Sequence, residues 1–362
     1  MEDENQDDVK LSIQLFDKTS NYFKRAVSLQ IDESFICLDK GNKIIKFTNQ
    51  SEIEDNRFLF CPSFDEEFNI HIDNLISHNN IYQNEAIVNE LDNKLWYIIP
   101  SNKEENKNKN YCYLSEGDII KFGNSKFIVN KIKIENNKTN NNNDENNDNN
   151  EDIKPFINHI IPRAKNCKFC QSYYFPICEC DEAIYFSCFR KVNNGKVEIK
   201  NNSKNTVTKY ELNNFLCQEC MCHYSFSYLI NIKSPIEKIV PLYSFDFEEP
   251  RDDDYLILES IGNRNKIVYI INLNKGDIKI GNIKNKENDI GIDDNSIDDV
   301  FAVIKLEEKT GKIKLENLCE DGFNMGILVQ KEILIENDEI YCFKVGNDVF
   351  KLNSIYYPDS DD

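Results

Sequence analysis

Three neighbouring stretches carry the fold: DIKIGN at 277–282, DIGIDDNSIDDVFAVIKLEE at 289–308 and KIKLENLCEDGFNMGILVQ at 312–330. Along them apolar residues recur at every second position, as in Ile278 and Ile280, Ile290 and Ile292, Ile313 and Leu315. A period of two is what a strand with one buried face requires. Gly, Asn and Asp clusters separate the runs, and those residue types supply turns. Moving outward, residues 243–355 hold further runs of the same kind, among them YLILESIG, IVYIINL, EIYCFKV and DVFKLNS. The expectation is a mainly β fold, with 243–355 as a β-sandwich.

Residues 10–134 read in the same way, with AVSLQI, ESFICL, KIIKF, FNIHI and LWYIIP as short strands and one helical piece expected around LSIQLFDKTSNYF. Gly123-Asn124, between two β-branched runs, marks a hairpin turn. LSEGDIIKFGNSKFIV near the end of this section parallels LIENDEIYCFKVGNDVFKL near the carboxyl end, a weak internal repeat with Asp118 matched to Asp338 and Ile120 to Ile340. Residues 135–155 are dominated by Asn, Asp and Glu and cannot bury a core, so they read as a disordered linker.

Eight of the chain's 13 cysteines fall between Cys167 and Cys222, in CKFCQSYYFPICECDEAIYFSCFRKV, a polar insert expected as a loop over 193–209, and CQECMC. The start, MEDENQDDVK, is acidic where an export signal needs a basic start and an apolar run, which implies a reducing compartment. Thiolates bunched in C-x-x-C and C-x-C pairs there are metal ligands more often than disulfides, so 160–234 reads as a small zinc-binding domain. The remaining Cys37, Cys61, Cys112, Cys319 and Cys342 lie in apolar runs and read as core thiols.

The net charge is -20, with 63 acidic against 43 basic residues. Such a chain repels phosphate backbones and anionic lipid, which argues against nucleic acid and membrane partners and leaves a protein partner of unknown identity. No run reaches the roughly 18 to 20 apolar residues of a membrane span. The expected location is the cytoplasm, with the nucleus as an open alternative. No phosphate loop or nucleophile elbow occurs among these residues, and His71, His78, His159 and His223 are the only histidines.

Two families are similar to parts of this chain. The stretches at 277–330 resemble the core of a forkhead-associated (FHA) domain, a β-sandwich whose loops read phosphothreonine through an Arg after a Gly, a Ser and His three apart, and an Asn before a Gly. Here Gly281 is kept while Asn282 stands for the Arg; Asp298 stands for the Ser, Phe301 for the His, and Asn324 sits one place from the expected Asn, where Met325 precedes Gly326. A doubly charged phosphate needs charge-assisted donors and is repelled by nearby carboxylates, so Asn282, Asp298 and Asp299 imply degenerate loops that work without phosphate. The cysteine segment resembles a RING-variant (RING-CH-like) finger, whose order is four cysteines, one histidine and three cysteines. Carried over, Cys178, Cys180, Cys217 and Cys220 hold one zinc ion, and Cys167, Cys170 and Cys188 belong to a second. Tyr185 stands where the histidine is expected, and Cys222, His223 or His159 are the candidates to replace it, with His223 retained in the ligand set. LSEGDIIKFGNSKFIV in the first section resembles the closing hairpin of FHA domains as well, and the arrangement of the sections is similar to that of an expanded protist family.

Two functions therefore compete. One is a zinc-binding interaction adaptor without catalysis, using a degenerate FHA domain independently of phosphate. The other is a signalling protein of either family's usual kind, a ubiquitin-protein transferase that recruits a ubiquitin-conjugating enzyme or a reader of phosphothreonine. The finger surface used for recruitment has Phe169 between the first two ligands, but the family's aromatic after the sixth is represented only by Phe189, since the one Trp is Trp96.

Overall fold

A computed structural model describes residues 10–17, 22–23, 26–30, 35–38, 44–47, 57–64, 70–73, 91–101, 110–134, 174–176, 183–185, 197–213, 253–261, 265–319, 323–330, 333–336 and 339–355. The expected linker at 135–155 lies outside them. The described chain is mainly β, with large antiparallel sheets. No helix among the described residues is long and apolar enough to cross a membrane.

The first section gives β1 (Lys10–Asp17), β2 (Tyr22–Phe23), β3 (Val27–Gln30), β4 (Phe35–Leu38), β5 (Ile44–Phe47), β6 (Arg57–Phe64) and β7 (Ile70–Asp73). It continues with β8 (Leu95–Ile98), β9 (Tyr111–Leu114), β10 (Ile119–Phe122) and β11 (Ser125–Lys133). The cysteine section contributes β12 (Tyr174–Pro176), β13 (Ala183–Tyr185), β14 (Val197–Asn201) and β15 (Val207–Asn213). The last section gives β16 (Tyr255–Ile261), β17 (Asn265–Asn272), β18 (Ile278–Asn282), β19 (Ile290–Ile292) and β20 (Ala302–Glu307). It ends with β21 (Lys312–Asn317), β22 (Met325–Leu328), β23 (Ile333–Ile335), β24 (Tyr341–Val345) and β25 (Asp348–Ile355).

Two local expectations are corrected. The helix expected in LSIQLFDKTSNYF is strand β1, because Leu11 and Ile13 alternate with Ser12 and Gln14, and that alternation puts both apolar residues at 0% exposure in a core. Within the polar loop expected over 193–209, the described residues from Val197 on form instead the hairpin β14–β15, in register from Val197 opposite Leu212 to Asn201 opposite Thr208. Its polar character reflects an outer position: Ile199 is 42% exposed. The Gly123-Asn124 turn forms as expected, closing β10 on β11 with Gly123 at φ 59°, a backbone region open to Gly at little cost.

The largest sheet runs β14-β15-β17-β16-β11-β10-β22-β8-β24-β25-β1-β2, with β3 also on β1. Strands from 10–134 and from 243–355 therefore alternate in one hydrogen-bonded array. β11 pairs with β16 from Lys126 opposite Ile261 to Lys133 opposite Tyr255, and β1 pairs with β25 from Lys10 opposite Ile355 to Leu15 opposite Phe350. Two five-stranded sheets accompany it, in the orders β19-β18-β20-β21-β9 and β23-β7-β6-β4-β5. Strand β16, YLILESI, is buried along its whole length, as expected for a strand covered on both faces.

One core gathers Phe122, Phe127 and Val129 with Leu256, Leu258 and Phe301. A second gathers Leu11, Ile13, Ile36 and Phe60 with Phe343 and Phe350, and the Phe350 ring stacks between those of Phe60 and Phe343 at centroid distances of 5.7 Å. Each buried side chain of this size contributes about 1.5–3 kcal/mol relative to exposure. A third cluster, with Trp96, Ile98 and Leu328, occupies the opposite face of the β8 and β22 region, where Trp96 Nε1 donates to Leu91 O at 2.8 Å.

Candidate functional site

The loops that follow β18 and β19 meet around Asn282, the last residue of β18, which is 8% exposed. Its backbone N donates to Asp298 O at 3.0 Å. Its Nδ2 donates to Asp294 O at 3.1 Å and Ile297 O at 3.3 Å, while its Oδ1 accepts from Lys284 N at 3.0 Å. One amide therefore ties the loop after β18 to the loop after β19. Beside it, a Cβ on Gly281 would lie 2.2 Å from Asp299 O, so only Gly fits under that backbone. Asn288 closes the same crossing, with Nδ2 donating to Asn282 O at 3.0 Å and Asp299 O at 2.6 Å.

Asp294 anchors the second loop. Its carboxylate accepts from Asn124 N at 2.7 Å, from Ser296 N at 2.8 Å and from Ser296 Oγ at 2.6 Å. Burial pushes its pKa up, but these hydrogen bonds outweigh burial and hold the carboxyl below its ordinary range. Asp289 is the third anchor, with a side chain 2% exposed. Its Oδ1 accepts from Asn202 Nδ2 at 3.1 Å and Lys204 Nζ at 3.0 Å, and its Oδ2 from Lys279 N at 3.0 Å.

The other residues singled out by sequence separate in space. Asp298 is exposed, with Oδ2 3.1 Å from Cys319 Sγ. Phe301 is 0% exposed and meets Phe122 edge-on, ring centroids 6.1 Å apart, so it packs the core beneath the loops and offers no surface. Asn324 joins the cluster through its backbone, its O accepting from Gly123 N at 2.8 Å.

Sequence reasoning missed three contributors. Asn124 comes from the β10–β11 turn, and Asn202 and Lys204 come from the β14–β15 turn inside the cysteine section. The Gly123-Asn124 turn is legible in the sequence, but nothing local says which loop it will touch.

Chemically, the cluster's central amide and the Asp294 carboxylate are satisfied by the protein itself. A phosphate arriving at Asn282 would compete with three internal hydrogen bonds and meet Asp294 and Asp298.

The metal-ligand candidates Cys167, Cys170, Cys178, Cys180, Cys188, Cys217, Cys220, Cys222, His159 and His223 all lie outside the described residues. Among the described residues, no group of three or more His, Cys, Asp or Glu is placed to hold a metal ion. Described backbone does frame the segment: β12 and β13 pair from Tyr174 opposite Tyr185 to Pro176 opposite Ala183. Of the cysteines outside that section, Cys37, Cys112, Cys319 and Cys342 are not in disulfides, three buried and one half-buried. Burial pushes Cys37 up to about 11, which keeps it protonated and unreactive.

No protein-family model, no curated protein and no solved structure matches this chain.

Proposed function

We propose that this chain is a zinc-binding protein–protein interaction adaptor, in which a degenerate FHA-like β-sandwich presents its loops to a protein surface without using phosphate. The observation that carries the reading is the Asn282 amide, committed to the carbonyls of Asp294 and Ile297 where the family places a phosphate-binding Arg. A two-sheet reading is supported by the core that draws Phe127 and Leu258 from the large sheet together with Ile304 and Leu315 from the five-stranded sheet.

Zinc is the expected cofactor of the cysteine section. In sequence, Cys178 and Cys180 fall between β12 and β13, with Cys170 before β12 and Cys188 after β13. The order of the candidates along the chain suits two interleaved sets, Cys178, Cys180, Cys217 and Cys220 for one ion and Cys167, Cys170, Cys188 and His223 for the other. Four thiolates make a closed structural site, so zinc would hold the segment rather than react.

Two measurements test the reading. Elemental analysis of purified protein should give one or two zinc ions per chain, reduced by Cys178→Ser and by Cys217→Ser; a metal-free folded protein would sink the zinc half. Fluorescence anisotropy with phosphothreonine peptides and their unphosphorylated forms should show no preference for phosphate, and a clear preference would reinstate the phosphothreonine reader.

A further inference from the structure

We propose that the chain is an internal duplication whose two repeats exchange their closing segments, so that each repeat's core is completed by strands from the other. Its basis is the strand order. Between β17 and β3 the large sheet reads β17-β16-β11-β10-β22-β8-β24-β25-β1-β3. Matching β1, β3 and β8 with β16, β17 and β22, and β10 and β11 with β24 and β25, turns that order into its own reverse. The five-stranded sheets obey the same matching: β5-β4-β6-β7-β23 and β19-β18-β20-β21-β9 are equivalent place by place. One difference is visible at their edges, where β18 and β19 are parallel but β4 and β5 antiparallel.

Register supports the match residue by residue. β10 meets β22 with Ile120 opposite Ile327 and Phe122 opposite Met325; β24 meets β8 with Phe343 opposite Tyr97 and Val345 opposite Leu95. The seam between β8 and β22 sets Tyr97 opposite Ile327, with Trp96 opposite Leu328 and Ile98 opposite Gly326, as a two-fold axis through the central pair demands. Flanking hydrogen bonds repeat across that axis, Ile99 N to Met325 O at 3.1 Å and Val329 N to Leu95 O at 2.9 Å. The turns Gly123-Asn124 and Gly346-Asn347 are likewise equivalent, which pairs Ile120 with Phe343 rather than with the Ile340 expected from sequence.

The exchange follows from the seam. Leu95 packs in the core of β1, and Ile99, just past the end of the same strand, packs in the core of β16; Met325 and Val329 make the opposite crossing. Beyond the seam, β9, β10 and β11 close the repeat of 255–328, and β23, β24 and β25 close the repeat of 10–98. The connection from β22 to β23 spans only residues 329–332, and short connections favour exchange over folding back. The acceptor surface of each repeat is thus fitted to one partner, the closing segment of the other repeat in this chain.

The arrangement makes a pairing test decisive. Tyr113 on β9 lies opposite Lys314 on β21, and Leu334 on β23 lies opposite His71 on β7. Tyr113 and Leu334 are 38% and 41% exposed, so both tolerate a photoreactive group. With p-benzoylphenylalanine in place of Tyr113, irradiation of the full-length chain should attach it within 312–317. In place of Leu334 it should attach within 70–73, and both adducts should have the mass of one chain. Attachment of Tyr113's replacement to 70–73, or of Leu334's to 312–317, would overturn the exchange, and so would adducts joining two chains.

Discussion

Asn282 shows how a position can be recognised in sequence while its role is not. The residue type announces the loss of a cation, but the compensating bonds to Asp294 and Ile297 depend on a loop that only folding delivers. Restoring the family's side chain should therefore fail: Asn282→Arg leaves two carbonyls without their donor and forces a larger group into a site 8% exposed. A loss of about 2–3 kcal/mol is expected in a denaturant titration, with no gain in phosphothreonine peptide affinity. Asp294 gives a pH prediction. Its folded pKa is depressed, so the stability it adds is present above the unfolded value of about 3.9 and is lost as pH falls through the folded value. Thermal melts between pH 6 and pH 2 should show a smaller acid-side drop for Asp294→Asn than for the unaltered chain.

At the scale of elements, most of the strands in 255–328 were legible, because apolar residues recur at every second position in β18, β19 and β21 and form short continuous runs bounded by turn residues in β16 and β17. β14 and β15 were not. VEIKN and VTKYELN carry enough Lys, Glu and Asn to read as a loop, and what makes them strands is the edge of β17, against which β15 runs from Val207 opposite Ile271 to Asn213 opposite Asn265. Asp289 then latches the turn of that hairpin. Asp289→Asn keeps the shape but weakens the ion pair to Lys204, whose partner carboxylate is almost wholly buried. The expected result is faster amide exchange over residues 202–207, by roughly 10-fold for a loss of about 1.4 kcal/mol, with exchange in β20 and β21 unaltered.

At the scale of the whole molecule, sequence gave the class but not the partners of the strands. A period of two decides which face of a strand is buried; it says nothing about which of many similar strands will lie alongside. The weak repeat between the two Gly-Asn hairpins was visible, yet its destination across the seam was not. Because each core contains strands from both ends of the chain, the two cores should lose structure together. A calorimetric scan should show one transition over the β sheets, with equal calorimetric and van't Hoff enthalpies, whereas two resolved transitions would mean that the cores melt separately.

The pairing of Lys10 with Ile355 also fixes how the molecule answers to force. Tension applied through those two residues acts across the β1–β25 ladder at its very end, perpendicular to the strands, so its hydrogen bonds open one pair after another from Leu11–Ser354 toward Leu15–Phe350. Tension applied between residues 133 and 255 bears on the far end of the β11–β16 ladder in the same manner. Pulled from either place, the sheet peels like a seam instead of resisting as a sheared plate, and the protein is mechanically soft along both routes.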